Sequence, residues 1–433
     1  MNMSLLIFAL ILVLLVTGLP IAFVLGGIGI LMTFFLWGPQ ALSMVSSRFF
    51  QVMSGYTVVA VPMFIFMGVF LERSGMVSDL FRVIHLWSGR LRGGLAAGTV
   101  SICMMFSAMT GVSGPTAAIM GLTTLPEMLK RGYNKRIALG CISAGSALGI
   151  LIPPSVTMVI YALIAEQSVG HLFAGGIIPG VILGSLFITY ILVRCFFQPS
   201  MAPGLPPEER PSWGEKIVSL RGVILPSILV FAVLGSIFLG VATPTEASGV
   251  GALGAIIIAA IYRRLNWPLI KEACYRTCRV SAMGLWIYLG ALIFTTLYAA
   301  TGAQEQVGSL LLGIPGKWGT LITIQLIWMV LGCFIDPWGI IMLTAPIFIP
   351  VIVQLDLSLI WFGVLFIVNM QMAYITPPFG FDLFYLKGVA PPEVSLEDIY
   401  RSVWPFLLCQ LTGLALVMVF PQLILWLPSI IFG

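Results

Sequence analysis

Three acidic residues stand inside otherwise apolar stretches of the sequence: Glu246, Asp336 and Asp382. If these stretches cross a membrane, each carboxylate is costly to bury, and such groups usually serve an ion or a substrate. Asp336 directly precedes Pro337, so it could hold a cation or only cap the helix that the proline begins. Asp382 could line a substrate exit path or pair with Lys387. Glu246 lies at the start of an apolar segment, where we expect a structural role.

Glycine and proline interrupt the apolar segments at four points, and each interruption should free backbone carbonyl groups. The four points are 113–115, 149–155, 336–339 and 376–380. Because irregular backbone at membrane depth survives only where it is buried or lines a cavity, we expect the breaks to converge near the midplane. Oxygen atoms there suit a desolvated Na⁺, and half-helix N-termini suit an anion. Hydroxyl-bearing residues cluster near the breaks: Ser113, Thr116, Ser146, Ser155, Thr157 and Thr376.

The sequence has no pattern typical of an enzyme or of a nucleotide-driven pump. His85 and His171 have no Ser or Asp partner at a recognisable spacing, and there is no Walker motif or haem-ligand pattern. Cys274 and Cys278 have no second pair to complete a zinc site. Since nearly every Lys and Arg lies in a loop, an anionic substrate would depend on bound Na⁺ and helix dipoles for positive charge. That dependence would couple ion binding to substrate binding, as symport requires.

The composition indicates the kind of protein that positions these groups. Of 433 residues, 59% are hydrophobic and only 9% are charged, whereas a soluble domain usually carries about 25% charged residues. Segments 3–17 and 252–261 are continuously apolar, without the alternation of a transmembrane β-strand. We therefore predict an all-α polytopic membrane protein that is surrounded by lipid, is not an enzyme and does not bind nucleic acid.

Proline and glycine positions reveal an internal repeat with an offset of 224 residues. The pairs at this offset are Pro20 and Pro244, Gly27 and Gly251, Pro126 and Pro350, Pro153-Pro154 and Pro377-Pro378, and Tyr161 and Tyr385. Because several pairs keep the same order, we predict two repeats, 1–195 and 222–433, joined by the polar linker 196–221.

Each repeat is expected to contain one interrupted helical hairpin and five spans, giving about ten transmembrane helices in the chain. The hairpins are predicted at 94–129 and 319–354. The spans are predicted at 3–19, 20–37, 55–71, 136–165 and 172–195, and then at 222–240, 243–262, 281–299, 358–386 and 402–427.

The distribution of Lys and Arg predicts how the chain crosses the membrane. The loops beside the first hairpin, 72–92 and 130–136, each carry four basic residues, so that hairpin should enter from the cytoplasm and be re-entrant. The loops beside the second hairpin carry only Lys317, so it should enter from outside. Five crossings per half then make the repeats inverted and place both termini outside. Arg48 and Lys317 would be the only basic residues outside the cytoplasm.

Several segments resemble the large membrane subunit of TRAP transporters, the tripartite ATP-independent periplasmic transporters. In the first half these are Ser-Gly-Pro-Thr-Ala-Ala at 113–118, Leu-Pro-Glu-Met-Leu-Lys-Arg-Gly-Tyr at 125–133 and Gly-Ile-Leu-Ile-Pro-Pro-Ser at 149–155. In the second half they are Thr-Pro-Pro-Phe-Gly-Phe-Asp-Leu-Phe-Tyr-Leu-Lys-Gly-Val-Ala-Pro at 376–391 and Asp-Ile-Tyr-Arg-Ser-Val at 398–403. The resemblance spans nearly the whole chain.

This resemblance implies an elevator transporter of the bacterial inner membrane, with periplasmic termini, that couples Na⁺ entry to uptake of a small organic acid anion. Both hairpins and spans 136–165 and 358–386 would form its moving domain, and the other spans its scaffold. A soluble periplasmic binding protein would deliver the carboxylate or sulfonate. A small membrane subunit of about four helices would brace the scaffold, and we expect it on another polypeptide.

The resemblance also implies which residues hold the coupling ions. The first Na⁺ site would use Ser113, Gly114, Gly149, Ile152 and Pro154. The second would use Asp336, Gly339, Thr376 and Pro378. Substrate contacts are expected at Thr116, Ser155, Thr157, Gly380 and Asp382.

Two positions depart from the pattern of the family. Pro115 and Thr116 follow Gly114, where many relatives have Gly-Ser-Ser. The chain resembles most the branch often labelled for mannitol or chloroaromatic compounds, and Asp382 stands where relatives of that branch generally have a small or apolar residue. Two other functions stay open. One is a stand-alone Na⁺ symporter of the divalent-anion type, which needs no binding protein, and the other is a pore or membrane scaffold without coupled transport.

Overall fold

The computed structural model describes residues 3–74, 80, 83, 86, 87, 91–204 and 212–433. Among these residues every regular element is a helix, which confirms the all-α prediction. Seven of the described helices are long and apolar enough to cross a bilayer, and several shorter ones are also apolar. A helix satisfies its backbone hydrogen bonds within one segment, so apolar segments of this kind can cross lipid. The chain is a multi-pass membrane protein.

The first half contains nine helices among the described residues. They are α1 (Met3–Val16), α2 (Ile21–Trp37), α3 (Ser43–Met53), α4 (Ala60–Arg73), α5 (Gly94–Thr110), α6 (Gly114–Lys130), α7 (Lys135–Ala147), α8 (Val156–Ala165) and α9 (Val169–Phe197). Helices α5 and α6 occupy the segment predicted as hairpin 94–129. Helices α7 and α8 divide the predicted span 136–165 at its double proline.

The second half contains eleven α-helices over residues 212–433. Its helices are α10 (Trp213–Ser219), α11 (Arg221–Phe238), α12 (Pro244–Ile261), α13 (Trp267–Ala300), α14 (Ala303–Leu312), α15 (Gly316–Gly332), α16 (Pro337–Gln354), α17 (Leu359–Tyr374), α18 (Phe381–Val389), α19 (Leu396–Val419) and α20 (Gln422–Phe432). Helices α15 and α16 occupy the predicted hairpin 319–354. Helices α17 and α18 divide the predicted span 358–386, again at a double proline.

Two predicted spans differ from the observed helices. Span 281–299 is only the C-terminal part of α13, which starts earlier because the Asn266 side chain accepts a hydrogen bond from the Leu269 N–H at 2.8 Å and caps the helix. The predicted span 402–427 is divided between α19 and α20. Pro421 has no N–H with which to continue α19, so a new helix begins there.

The helices form two packed groups. One consists of α2, α4, α12 and α13, where α13 packs on α2 and α4, and α12 packs on α4. Helices α2 and α13 approach closely, and a Cβ atom on Gly290 would lie 2.5 Å from the carbonyl oxygen of Ala22. Glycine therefore permits the contact, as small residues do between membrane helices. The other group contains both hairpins and both divided spans, α5–α8 and α15–α18.

The second group is built from both halves of the chain. Helix α18 packs on α6, α16 packs on α8, and α19 packs on α7. Each of these contacts joins segments that are more than 150 residues apart along the chain. Residues near the hairpin tips of one half therefore meet residues of the other half.

Glu246 has the structural role that its position predicted. Its Oε2 accepts hydrogen bonds from the backbone N–H and the hydroxyl of Thr243, both at 2.8 Å, and the Thr243 hydroxyl accepts one from the Glu246 N–H. This capping box starts α12 beside Pro244.

The predicted repeats 1–195 and 222–433, and the sides from which the hairpins enter, stay predictions. Residues 205–211 of the predicted linker 196–221 lie outside the described residues, as does His85 in loop 72–92. The described part of the linker contains the end of α9, a short 3₁₀ helix at Pro199–Met201 and helix α10.

Candidate functional site

The tip of the first hairpin lies between α5 and α6. Gly111 ends α5 in the left-handed conformation, with φ 65° and its N–H bonded to the Ser107 carbonyl. The Thr110 hydroxyl donates to the carbonyl of Val112 at 3.2 Å within the turn. Helix α6 then starts at Gly114, and Pro115 in its first turn fits because no intrahelical N–H is needed there.

This tip packs directly against the break between α7 and α8. A Cβ on Gly111 would lie 2.7 Å from the carbonyl oxygen of Pro154, and a Cβ on Gly149 would lie 3.0 Å from that of Val112 and 3.2 Å from the Cα of Ser113. Two glycines therefore let two irregular backbone segments touch. Four residues of the predicted first Na⁺ site are gathered here: Ser113, Gly114, Gly149 and Pro154. The fifth, Ile152, directs its side chain towards Gly180 of α9.

Asp382 joins this first tip from the other half of the chain. It lies in the first turn of α18, has no exposed surface, and its Oδ2 is 3.0 Å from the hydroxyl of Ser146 on α7. The Tyr385 ring, one turn further along α18, covers Gly114, where a Cβ would approach it to 2.7 Å. Lys387 donates to the carbonyl of Val394 at 2.6 Å. The suggested pairing of Asp382 with Lys387 is therefore wrong.

The first tip contains buried hydroxyl groups without partners. Ser113, Ser143 and Ser146 are all fully buried, and neither Ser113 Oγ nor Ser143 Oγ makes a hydrogen bond of regular geometry. Asp382 Oδ1 is also without one. Buried polar atoms normally have partners, so these oxygens call for an explanation.

The tip of the second hairpin is organised around Asp336. Its Oδ2 accepts hydrogen bonds from the backbone N–H groups of Trp338 at 3.1 Å and Gly339 at 3.2 Å, so the residue caps α16. The capping role that the sequence suggested is therefore confirmed. The Trp338 indole N–H donates to the hydroxyl of Thr157 on α8 at 3.3 Å, which ties this tip to the first half.

The break between α17 and α18 lies near this second tip. Hairpin residue Gly332 packs on Ala373, just before the break, where its Cβ would come within 2.3 Å of the Ala373 Cβ. The Thr376 hydroxyl donates to the carbonyl of Met372 at 2.6 Å, and the carbonyl of Pro378 accepts from the Tyr400 hydroxyl at 2.6 Å. Gly380, with φ 53°, then begins α18.

The remaining predicted substrate contacts make local hydrogen bonds. The Thr116 hydroxyl donates to the carbonyl of Val112 at 3.4 Å. Ser155 donates to the carbonyl of Ile150 and caps α8 by accepting from the Met158 N–H at 3.3 Å. Their position as substrate ligands stays a prediction.

Sequence reasoning missed some residues at these tips. Ser143 and Trp338 were not singled out, and Tyr385 was noted only as the repeat partner of Tyr161. One signal was available, because Ser143 and Ser146 are three residues apart in an otherwise small and apolar helix and so share a face.

The charged side chains of the described residues are distributed unevenly around the tips. Among the described residues, the ion pairs lie away from both tips, as in Glu72–Arg276, Lys135–Asp398 and Arg131–Glu127. The part of the chain that the structure describes also has no group of three or more His, Cys, Asp or Glu residues that could hold a metal. Asp382 lies at the first tip and Asp336 at the second, each among hydroxyl and carbonyl oxygens.

Comparison with known proteins gives a consistent result. The family model described as "Tripartite ATP-independent periplasmic transporter, DctM component" matches residues 8–423. The C4-dicarboxylate TRAP transporter large permease protein DctM of Vibrio cholerae serotype O1 is 32% identical, over 99% of this chain and 98% of that protein. The isethionate TRAP transporter permease protein DctMQ of Oleidesulfovibrio alaskensis is 29% identical, over 94% of this chain and 64% of that protein.

One solved structure has a similar fold. The crystal structure of the YdaH transporter of Alcanivorax borkumensis matches 98% of this chain and 100% of its own chain, with a TM-score of 0.62 and 16% sequence identity. At that identity the likeness concerns the fold alone.

Proposed function

The chain belongs to the DctM component family of tripartite ATP-independent periplasmic transporters, and we propose that it is the transport subunit of a Na⁺-coupled symporter. It would import a small carboxylate or sulfonate across the bacterial inner membrane. A DctM-family permease is not an enzyme, and the Na⁺ coupling and elevator movement are the parts that we add as proposals.

The arrangement of hairpins and breaks supports the elevator part of this proposal. Each hairpin tip lies beside a divided helix. The two halves of the chain also pack on each other, through α6 on α18 and through α8 on α16. Such a unit would move as one body against α2, α4, α12 and α13, of which α13 contacts α16 and α4 contacts α5. Substrate sites between discontinuous helices are typical of secondary transporters.

The oxygen-rich tips support coupling to Na⁺. Freed carbonyls, the hydroxyls of Ser113 and Ser146, and the carboxylates of Asp336 and Asp382 are gathered where the described residues offer no positive side chain. A bound cation would lower the electrostatic cost of these groups and would create a positive field for an anion. Ion and substrate would then bind more tightly together than apart, as symport requires.

The relatives suggest the class of substrate. The Vibrio cholerae protein is named for C4-dicarboxylates and the Oleidesulfovibrio alaskensis protein for isethionate, which are a carboxylate and a sulfonate class of anion. We propose an anion of this kind for the present chain, bound near Thr116, Ser155, Thr157 and Gly380.

Two partners follow from the proposed transport system. A periplasmic binding protein would deliver the anion, and a small membrane subunit of about four helices would brace α2, α4, α12 and α13. One relative is named permease protein DctMQ, and this name supports the association of a DctM component with a second component. Both termini of the chain would lie in the periplasm.

The single observation that carries this proposal is the contact of each hairpin tip with a broken helix. The test is uptake into proteoliposomes that hold the chain and its small subunit, with pooled carboxylates and sulfonates outside and mass spectrometry of the lumen. We expect one compound to accumulate only with both the binding protein and an inward Na⁺ gradient.

Other outcomes would contradict the proposal in distinct ways. Accumulation without the binding protein would indicate a stand-alone carrier of the divalent-anion type. Equilibration that ignores the Na⁺ gradient would indicate a pore. A matched control with an inward K⁺ gradient separates a specific Na⁺ effect from a membrane potential.

A further inference from the structure

Helix α14 lies between the predicted scaffold and the second hairpin. It begins after Gly302, and residues 313–316 join it to α15; both Gly302 and Gly316 have positive φ, of 70° and 78°. The helix contacts α1 and α13, which belong to the predicted scaffold, and it also contacts α16 of the hairpin. Helix α14 therefore connects the part of the chain that is proposed to stay fixed with the part that is proposed to move.

A proline removes the regular hydrogen-bond donor of one carbonyl group in α16. In an α-helix the carbonyl of each residue accepts from the N–H of the residue four positions later. The residue four positions after Pro346 is Pro350, which has no N–H. The carbonyl of Pro346 therefore needs a donor from another part of the chain, since an unpaired carbonyl group in the protein interior is costly.

Gln304 of α14 supplies this donor. Its Nε2 donates a hydrogen bond to the carbonyl oxygen of Pro346 at 2.7 Å, which is a length typical of a good N–H···O bond. Only the nitrogen of a side-chain amide can donate to a carbonyl group, so this contact also fixes the orientation of the amide. A single side chain of α14 thus completes the hydrogen bonding of the hairpin helix.

The packing around this bond is open. Helices α14 and α16 line most of a cavity of about 400 Å³, whose walls include Ala299, Gln304, Glu305, Gly308, Ile347 and Val351. A Cβ on Gly308 would lie 3.8 Å from the Val351 side chain, so α14 and α16 are not in tight contact there. Because space remains between the two helices, they can separate without disrupting a closely packed core.

The first hairpin has the proline but lacks the donor. At the predicted repeat offset of 224 residues, Pro350 corresponds to Pro126 and Pro346 corresponds to Leu122, so the carbonyl of Leu122 also lacks its regular donor. Gln304 corresponds to Leu80, whose buried side chain has no N–H to donate. The equivalent bond cannot form from that position, and its effect is confined to the second hairpin.

We propose that Gln304 and the carbonyl of Pro346 form a latch that holds the second hairpin against α14 in the conformation of this structure and opens when the hairpin moves. The inference rests on the elevator movement proposed above, because a latch matters only if the hairpin leaves α14. Movement would remove the donor from the Pro346 carbonyl, so the bond favours the present conformation. The missing counterpart at the first hairpin leaves this bias towards one end of the movement uncompensated.

Distance measurements by electron paramagnetic resonance on the full chain in lipid nanodiscs test the latch. Spin labels would be attached through Leu310→Cys on α14 and Val353→Cys on α16, two exposed positions, after replacement of the seven native cysteines. In Gln304→Leu we expect the ratio of latched to released distances to fall about fivefold, as for the loss of one hydrogen bond. The matched control, Gln354→Leu, removes an amide from the same cavity and should leave the ratio unchanged.

The variant Pro350→Ala distinguishes the latch from simple packing by Gln304. It restores an N–H four residues after Pro346, so the carbonyl can bond within α16. In that background Gln304→Leu should change the ratio less than twofold, and an equal shift in both backgrounds would overturn the latch. If Pro350→Ala does not fold, Gln304→Glu decides, because it keeps the size of the side chain but has no donor. It should shift the ratio as Gln304→Leu does, and an unchanged ratio would overturn the proposal.

Failure of the latch and failure of the elevator movement give different results. Two distances whose ratio is the same in Gln304→Leu as in the labelled parent chain would overturn the latch and leave the elevator movement intact. A single distance in the parent chain and in every variant, with and without Na⁺ and the pooled anions, would overturn both the latch and the elevator part of the proposed function.

Discussion

The two hairpin tips occupy equivalent positions in the sequence but have different chemistry. The first tip is sealed: Ser113 and Asp382 have no exposed surface, and several of their oxygens have no partner. At the second tip, the Asp336 carboxylate is already bonded to two backbone N–H groups, and neighbouring Phe334 is 69% exposed. Two hairpin tips related by the predicted repeat therefore differ in the polar groups that surround their carboxylates.

This difference arises because each tip contacts a residue from the other half of the chain, and these two residues differ in chemistry. The first tip receives a carboxylate from α18, whereas the second receives the neutral hydroxyl of Thr157 on α8, bonded to Trp338. Both tips thus hold a carboxyl group without a positive side chain beside it, but Asp336 at the second tip accepts two backbone N–H bonds, whereas Asp382 Oδ1 at the first accepts none. We expect a cation to matter more for the stability of the first.

The largest expected effect comes from replacing Asp382 and Ser146 by methionine. Methionine is the residue found 224 positions away from each of them in the other half, at Met158 and Met370. In the double variant D382M/S146M, Na⁺-driven uptake should fall by about 100-fold, because a buried charged ligand is lost. Initial uptake rates in proteoliposomes measure this. Met370→Leu, a volume-conserving change on α17, is the control and should keep its rate. Uptake within twofold of wild type in the double variant would remove the distinction between the tips.

Two variants of Asp336 distinguish helix capping from ion binding at the second tip. Asp336→Ala should destabilise α16 by about 1 kcal/mol through loss of the cap and also weaken the Na⁺ dependence of uptake. Asp336→Asn keeps a good capping residue, so it should preserve stability and still raise the half-saturating Na⁺ concentration. Thermal unfolding and uptake titrations give the two readouts. If neither variant alters the Na⁺ dependence, Asp336 serves only as a cap.

Loss of the Trp338–Thr157 bond should have a smaller effect, which is measured as a change in the free energy of unfolding. Trp338→Phe removes the indole N–H and should cost about 1 kcal/mol. Thr157→Val should lower the free energy of unfolding by a similar amount. The double variant should lower it by less than the sum of the two, because both changes remove the same hydrogen bond. Thermal unfolding measures all three, with exposed Trp318→Phe as the control. Additive losses would show that the two side chains act independently.

The smallest expected effect lies at the base of the first hairpin. The hydroxyl of Tyr133 accepts a hydrogen bond from the Leu95 N–H at 3.3 Å, so Tyr133→Phe should cost about 0.5 kcal/mol. Burial raises the pKa of Tyr133 to about 12, so the neutral hydroxyl persists and the loss should be the same from about pH 6 to pH 10. Exposed Tyr56→Phe is the control in the same unfolding assay, and a pH-dependent loss would contradict this assignment.

Much of the secondary structure could be predicted because its signals act within one helical turn. The breaks at Gly149–Ser155 and Thr376–Gly380 lie where glycine and proline prevent a continuous helix. The cap at Asp336 and the structural role of Glu246 follow from the residues beside them. The division of α19 from α20 was missed, although Pro421 carried its signal, since apolar residues continue on both sides of it.

The sequence by itself determined the membrane class, the helical hairpins, the breaks and the family. These depend on composition and on short-range steric and hydrogen-bonding effects, which any local segment carries. Only the tertiary structure decided which oxygens meet. Asp382 and Ser146 are 236 residues apart, and their contact depends on how α18 packs against α6 and α7, which is a property of the whole bundle. The charged character of the first tip therefore emerged only from packing.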